Sequence, residues 1–287
     1  MTEQPPRRPA RHVLTAVEFD VVWERLGLGP TPVVLRLESP GRTWAERRRI
    51  VAEGWQALRE RGLAGPTGAD PELARLLRLL AGPAVALELR GWWGRSVRAV
   101  AAGAPDAGVL AVRQDATLTV QACASLPSAL LGVLPTAPAG PGRATALPTS
   151  VLAAALRAAG EPTTTGPAPV GASGAGAETR LRVALATRDV PPPDAALLAR
   201  MIGATQRRAQ LVALTGDRWG GTTRAGGVLT VLDGPRGRYL LTRTTAEDGV
   251  EWTTVAPTDA RGLRHRLGEL LAGALPGEVL PGNALPA

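Results

Sequence analysis

The sequence predicts a chain made of two copies of one α/β unit, and three features carry that expectation. The stretch from Gln210 to about Leu271 reads as a β-type run, QLVALTGDRWGG, followed by GVLTVLDGPRGRYLLTRTT, two strands joined at Asp233–Gly237. A further strand, GVEWTTVAP, leads into an amphipathic helix starting near Asp259. From Val85 the layout recurs as VALELRGWWG, GVLAVRQD, ATLTVQAC and the apolar stretch LPSALLGVLP. Leu89, Gly91, Trp93 and Gly94 stand to Leu214, Gly216, Trp219 and Gly220 with a single residue inserted; Arg113 closes its strand where Arg243 does, and Val120 sits where Thr254 does. The third feature is a helix ahead of each copy, DPELARLLRLLAG and PDAALLARMIGATQRR, with apolar residues at helical spacing.

Taken in order, Met1 to His12 is rich in Pro and Arg and reads as an unstructured leader. Thr15-Ala16-Val17-Glu18 has the spacing of a capping box, and the helix it opens carries Phe19, Val22, Trp23 and Leu26 on one face. Gly27 stops that helix, and VVLRLE after Pro32 alternates as a short strand with Val33, Leu35 and Leu37 on one side. Thr43-Trp44-Ala45-Glu46 is a second capping box heading a helix striped by Val51, Trp55 and Leu58, with Gly62 as its left-handed stop. Asp70-Pro71-Glu72 opens the helix lined by Leu73, Leu76, Leu77 and Leu80. Ser150 caps VLAAALRAAG, and EPTTTGPAPVGASGAGA is too small and polar to bury a face. The expected divisions are a disordered leader over 1–12, an N-terminal half over 13–160, and a flexible Gly/Pro/Ala segment over 161–178. A C-terminal half over 179–275 and a disordered tail over 276–287 complete the chain, the two halves forming one continuous domain.

Composition narrows the function classes. At 287 residues and 45% hydrophobic content the chain has enough apolar side chain for a sizeable core. No apolar run approaches the roughly 18 residues that cross a bilayer, and no secretory segment is visible, so a cytoplasmic protein without membrane insertion is expected. The net charge of +8 comes entirely from Arg, with no Lys. Together with the Ala, Gly, Pro and Leu bias, that is the mark of GC-rich codons rather than of a phosphate-tracking surface. Arg47-Arg48-Arg49 shares its helix with Glu46, Glu53 and Glu60, the pattern of a solvated face, so nucleic acid is not an expected partner.

Catalytic constellations are missing. His12 and His265 are far apart, and His265 lies among arginines on a helix face. There is no H-E-x-x-H, C-x-x-C or P-loop, and the glycines of GASGAGA lack the strand and helix that make a phosphate cradle. Cys123, the single cysteine, has no histidine near it in sequence and reads as an inert buried thiol. The expectation is a protein that is not an enzyme, takes no cofactor and holds no metal, and works through its own surface. Two other classes stay open: an Arg-rich binder of nucleic acid or anionic surfaces, and an enzyme using Cys123 or an acid pair that no motif reveals.

The opening LTAVEFDVVWERLGLGPTPVVLRL, the stretch DPELARLLRLLAGPAVALELRGWWG, and above all GRYLLTR…DGVEWTTVAPTDARGLRHRLGELL resemble the EspG family of type VII (ESX) secretion-associated proteins of actinobacteria. The likeness runs from about Val13 to Leu271, leaving out the segment around 161–177, and rests on apolar spacing and strand–helix order. It implies a quasi-two-fold α+β fold, a central antiparallel sheet flanked by helical bundles. It further implies a cytosolic chaperone that binds the apolar tip of a PPE or PPE-like protein in a PE–PPE heterodimer, with the secretion ATPase a partner only at one remove. No contact motif transfers position by position. From placement on the second copy's strands, Trp219, Arg224, Tyr239, Arg243 and Trp252 are the candidate partner-binding residues, since Trp, Tyr and Arg dominate interface hot spots.

Overall fold

The two repeats meet edge to edge in one antiparallel sheet of ten strands. A computed structural model describes residues 11–35, 37–104, 107–160, 175–217 and 221–274. The first repeat runs β1 (Arg11–Thr15), α1 (Ala16–Arg25), a 3-10 turn (Val33–Leu35), α2 (Trp44–Glu60), the small hairpin β2 (Ala64–Gly65) and β3 (Gly68–Ala69), and α3 (Pro71–Ala81). It continues through β4 (Val85–Trp92), β5 (Ser96–Ala104), β6 (Ala107–Gln114), β7 (Thr117–Cys123) and α4 (Leu126–Leu131). The second runs β8 (Thr145–Pro148), α5 (Thr149–Ala158), α6 (Ala175–Ala186), α7 (Pro192–Ile202), β9 (Arg207–Gly216), β10 (Thr222–Gly234), β11 (Gly237–Thr245), β12 (Glu251–Pro257) and α8 (Ala260–Ala272).

Strand order across the sheet is β1-β7-β6-β5-β4-β9-β10-β11-β12-β8. Matching β1 to β8 and β4–β7 to β9–β12 makes that order read the same from either edge. The fold is therefore α+β with quasi-two-fold symmetry, and the pseudo-axis passes between β4 and β9, near the pairs Leu87↔Ala213 and Glu88↔Val212.

Register corrects several readings of the sequence. The repeated unit has a four-strand meander: SVRAVAAGA, passed over in the sequence, is β5, the counterpart of β10. Arg113 pairs with Leu118 and Arg243 with Thr253, so Val120 corresponds to Val255, not Thr254. Arg11 and His12 are not leader but part of β1, which adds to β7, and His12 is buried. The second half begins at β8, whose partner is β12, and not after residue 160. Ala175–Glu178, expected in the flexible segment, form the first turn of α6; the rest of that segment, the tail from 275 and residues 1–10 lie outside the described residues.

Local chemistry explains the helices. The Thr15 box closes in both directions: the Glu18 amide donates to Thr15 Oγ1 at 3.1 Å, and the Thr15 amide donates to Glu18 Oε2 at 2.7 Å. The Thr43 box closes in one direction only. Thr43 Oγ1 accepts from the Glu46 amide, while Glu46 reaches back to the Arg42 amide, one residue earlier than the motif requires. Asp70 caps α3 and Asp259 caps α8. Ser150 lies inside α5, whose N-cap is Pro148 with no side-chain cap bond. VVLRLE does not form a strand. The Leu35 amide donates to the Pro32 carbonyl at 3.0 Å, curling the chain so that Val34 and Leu35 are both buried and Val33 is 79% exposed.

Three layers result. On one face of the sheet, α1–α3 cover the first repeat through Phe19, Val22, Trp23, Leu58, Leu73 and Leu77, with Phe19 and Trp23 stacked at 5.2 Å. On that same face α5–α7 cover the second through Leu152, Leu156, Leu181, Leu185, Leu198 and Met201. The other face is sealed by α4 and α8, whose Leu130, Leu263 and Leu267 sit on Leu87, Leu89, Leu211, Val231 and Leu240. Each fully buried Leu removes apolar area worth about 1.5–3 kcal/mol against exposure, so the three cores are the main stabilising term.

Candidate functional site

The two bundles stand over the flanks of the sheet and leave a strip between them, over β5, β4, β9 and β10, where residues on the bundle face turn polar. Cross-strand partners share a face. The pairs Arg113↔Arg98, Arg98↔Arg90, Arg90↔Gln210 and Gln210↔Thr230 therefore form one continuous row across five strands. Like charges directly opposite one another on a sheet are destabilising, so three adjacent arginines carry a cost that their individual contacts must offset. Arg113 is anchored by donating to the Leu35 carbonyl at 2.6 Å. In the neighbouring row Glu88 is buried, and burial pushes its carboxyl above the ordinary range while Arg90, 3.7 Å away, pulls it back. At the end of the strip nearest α1–α3, a cleft of about 800 Å³ is lined by Thr31, Pro32, Val33, Leu37 and Glu38 from the segment after α1 and by Ser96, Arg98, Arg113 and Asp115 from the sheet. Apolar side chains, two arginines and two carboxylates thus meet in one cleft at the edge of the arginine row.

Arg208 is the most unusual member. It lies on β9 between Trp92 of β4 and Leu232 of β10. Its Nε and Nη2 are both buried and neither has a hydrogen-bond partner. Burial first, and the charge of Arg243 second, bring its guanidinium down to about 10, still protonated at neutral pH. The sheet contains a completed version of the same group. Arg238, 2% exposed, donates from Nε to Asp233 Oδ1 at 2.7 Å and from Nη2 to Asp233 Oδ2 at 2.8 Å, with Nη2 also reaching the Pro135 carbonyl at 2.6 Å.

The structure divides the residues singled out from the sequence. Arg224 is exposed and, paired with Leu214, lies on the bundle face. Arg243 is half-buried on that face, 3.9 Å from Glu251. Tyr239 is not a surface residue: it is 2% exposed in the core beneath α5–α7, its ring against Gly140 and its hydroxyl donating to the Pro141 carbonyl. Trp252, 37% exposed, pairs with Thr244 and Pro148 and so points from the opposite face to Arg243 and Thr253. Trp219 lies outside the described residues. One surface thus unites Arg224 and Arg243 but neither Tyr239 nor Trp252. Arg90, Arg98 and Arg208 were missed; the alternation of Glu88 and Arg90 with Leu87 and Leu89 was the legible signal for β4.

Elsewhere, Cys123 is half-buried and burial pushes its thiol up, away from nucleophilic character. His265 is exposed on α8 at 3.2 Å from Glu269. Among the described residues no group of His, Cys, Asp and Glu is placed to hold a metal ion, and no helix is long and apolar enough to cross a membrane.

Against known proteins, a model of the EspG family matches residues 15–269. Among solved structures, the chain is similar to EspG5, a type VII secretion system chaperone of Mycobacterium tuberculosis, in a structure with the PE25–PPE41 dimer. The superposition has a TM-score of 0.68 at 16% identity and covers 93% of this chain and 97% of that one, a likeness of fold. No curated protein matches the chain.

Proposed function

This chain belongs to the EspG family, and on that premise we propose that it is a cytosolic chaperone of a type VII secretion system which covers the apolar tip of a PPE-type protein and keeps it export-competent. The observation that carries this reading is the strip of sheet left open between the two bundles, crossed by a row of arginines and bordered at one end by the exposed apolar side chain of Val33. A helical tip with exposed apolar side chains aggregates in water. Laying it between two bundles removes that surface, and a standard interface of about 1,600 Å² is enough for specificity without permanence. EspG5, which has the same fold, was solved with a PE–PPE dimer, and this supports a partner of the same type here. The chain works by binding rather than by catalysis: the one thiol is raised by burial, and the arginines Arg47, Arg61, Arg75, Arg143 and Arg238 face carboxylates of their own chain, which argues against a phosphate-tracking surface.

Purification of the tagged full chain from its native host, with mass spectrometry of what accompanies it, tests the reading. The expected companion is a PE–PPE heterodimer, and recovery of nucleic acid or of no PPE-type protein overturns it. Within that complex, Arg243→Glu and Arg224→Glu on the bundle face weaken capture, whereas Trp252→Ala on the opposite face leaves it unchanged. Wild-type capture by the folded Arg243 and Arg224 variants removes the groove as the site.

A further inference from the structure

We propose that Arg208 is the receptor for a carboxylate side chain that the docked partner carries into the groove. The inference rests on the reading of the groove as the docking site and adds a chemical requirement to it: the guest surface is not only apolar but has an Asp or Glu placed to reach the floor between Trp92 and Leu232.

The argument begins from an unsatisfied group. Leaving a buried donor without an acceptor costs about 1–3 kcal/mol, and more for a charged one. Arg208 leaves two, Nε and Nη2, on the same guanidinium. Those two nitrogens form the side-on edge of the fork, the edge that donates to both oxygens of one carboxylate. Arg238 uses the same two atoms, Nε and Nη2, to hold the two oxygens of Asp233. The molecule therefore contains the filled form of the arrangement on one face of its sheet and the empty form on the other. Among the described residues no carboxylate lies against these two nitrogens: Glu88, the buried acid of the strip, pairs with Arg90, and Glu251 lies beside Arg243. The second cation, Arg243, adds field of the same sign and depresses Arg208 further, so an incoming anion relieves both. Trp92 and Leu232 as register neighbours suit a single carboxylate carried on an otherwise apolar segment.

Two measurements test the proposal, one without the partner. In the isolated chain, glutarate titrated against the ¹⁵N-labelled protein shifts the Arg208 Nε–H resonance saturably, and that resonance is assigned by its loss in Arg208→Met. If no shift occurs at any glutarate concentration up to the point where other arginine signals move together, or if a DNA duplex moves Arg208 at lower concentration than glutarate does, the proposal falls. In the complex recovered from the host, Arg208→Met weakens binding roughly thirtyfold or more, as loss of one partner of a desolvated charge pair does. One Asp or Glu of the partner changed to its amide shows the same loss, and the double variant shows no further loss. Arg208→Lys, which keeps the charge but not the fork, recovers only part of the affinity. Independent, additive losses for every acidic residue of the partner overturn the pairing. Absence of any PPE-type companion with an intact glutarate response sinks the functional reading and leaves the anion site standing, so the two failures are distinguishable.

Discussion

Two arginines of the same sheet, one strand apart and on opposite faces, show how one side chain serves the fold in one place and a partner in another. Arg238 on β11 is enclosed with Asp233 beneath the segment around Pro135–Pro141, and its Nε and Nη2 each have an oxygen against them. Arg208 on β9 is enclosed between the same strands' neighbours and has none for Nε and Nη2. The first group is closed when the chain folds; the second is closed only when something else arrives. Burial by itself thus says little about a charged residue's task, and what distinguishes the two sites is whether the chain supplies its own counter-charge.

The largest expected effect breaks the closed site. Asp233→Asn leaves the Arg238 guanidinium buried against a neutral amide, and removing one partner of a buried pair costs about 3–5 kcal/mol. Urea unfolding of the variant against wild type measures it. Arg208→Met, by contrast, leaves the isolated chain as stable or more stable, because it removes a buried charge that had no partner to lose. If the two variants destabilise the isolated chain equally, the contrast between the sites is wrong.

How much of this was legible in the sequence depends on where side chains advertise their setting. Thr15 and Glu18 announced α1, Asp70 with Pro71 announced α3, and the spacing of Leu89, Gly91 and Trp93 against Leu214 and Gly216 exposed the doubling. The strand β5 escaped because SVRAVAAGA is built of small residues, whose weak β preference is overruled by two flanking strands that need it for their hydrogen bonds. VVLRLE alternates like a strand, yet the Pro32 carbonyl takes the Leu35 amide and no partner strand competes for it. Arg208 was missed for a different reason. The run GATQRR continued the apparent helix of PDAALLARMIGATQRR, but α7 ends at Ile202, and Gln206 donates its amide to Asp233 as β9 begins. An unsatisfied guanidinium is a property of three strands packed together, and one strand's sequence does not contain it.

A smaller effect sharpens the contrast from the side of the enclosing segment. Gly140 lies against Tyr239 so closely that an added Cβ falls 2.1 Å from Cζ, and the Gly140 amide donates to the Arg238 carbonyl. Gly140→Ala pushes the segment off the closed site and costs about 1–3 kcal/mol, the usual range for overpacking. Its thermal unfolding shifts down by the few degrees that such a loss implies.

Acid provides the next measurement. Glu18 is buried, which alone raises its pKa. The Thr15 amide and the Arg61 guanidinium outweigh that burial and hold the carboxyl below its ordinary value. A folded pKa lower than the unfolded one adds stability that is complete above the unfolded value of about 4.3 and disappears as pH falls through the lowered folded value. Glu18→Gln removes roughly 1–2 kcal/mol at neutral pH by weakening the cap and the Arg61 link. The wild-type and variant stability curves converge below the folded pKa. Arg208 stays protonated throughout and contributes nothing to this pH dependence.

The smallest effect on folding separates the groove from the cores most cleanly. Val33 stands 79% exposed at the lip of the cleft, while its neighbours Val34 and Leu35 are fully buried. A surface substitution away from caps and cores changes stability by less than about 0.5 kcal/mol, so Val33→Asp melts with wild type. At the lip of a groove whose floor draws in a partner's carboxylate, the added negative charge sits where the partner approaches and its apolar contact is gone, so binding falls several-fold by a change in the association rate. Equal melting with unequal binding places Val33 with Arg208, on the side of the molecule whose contacts are completed by another protein.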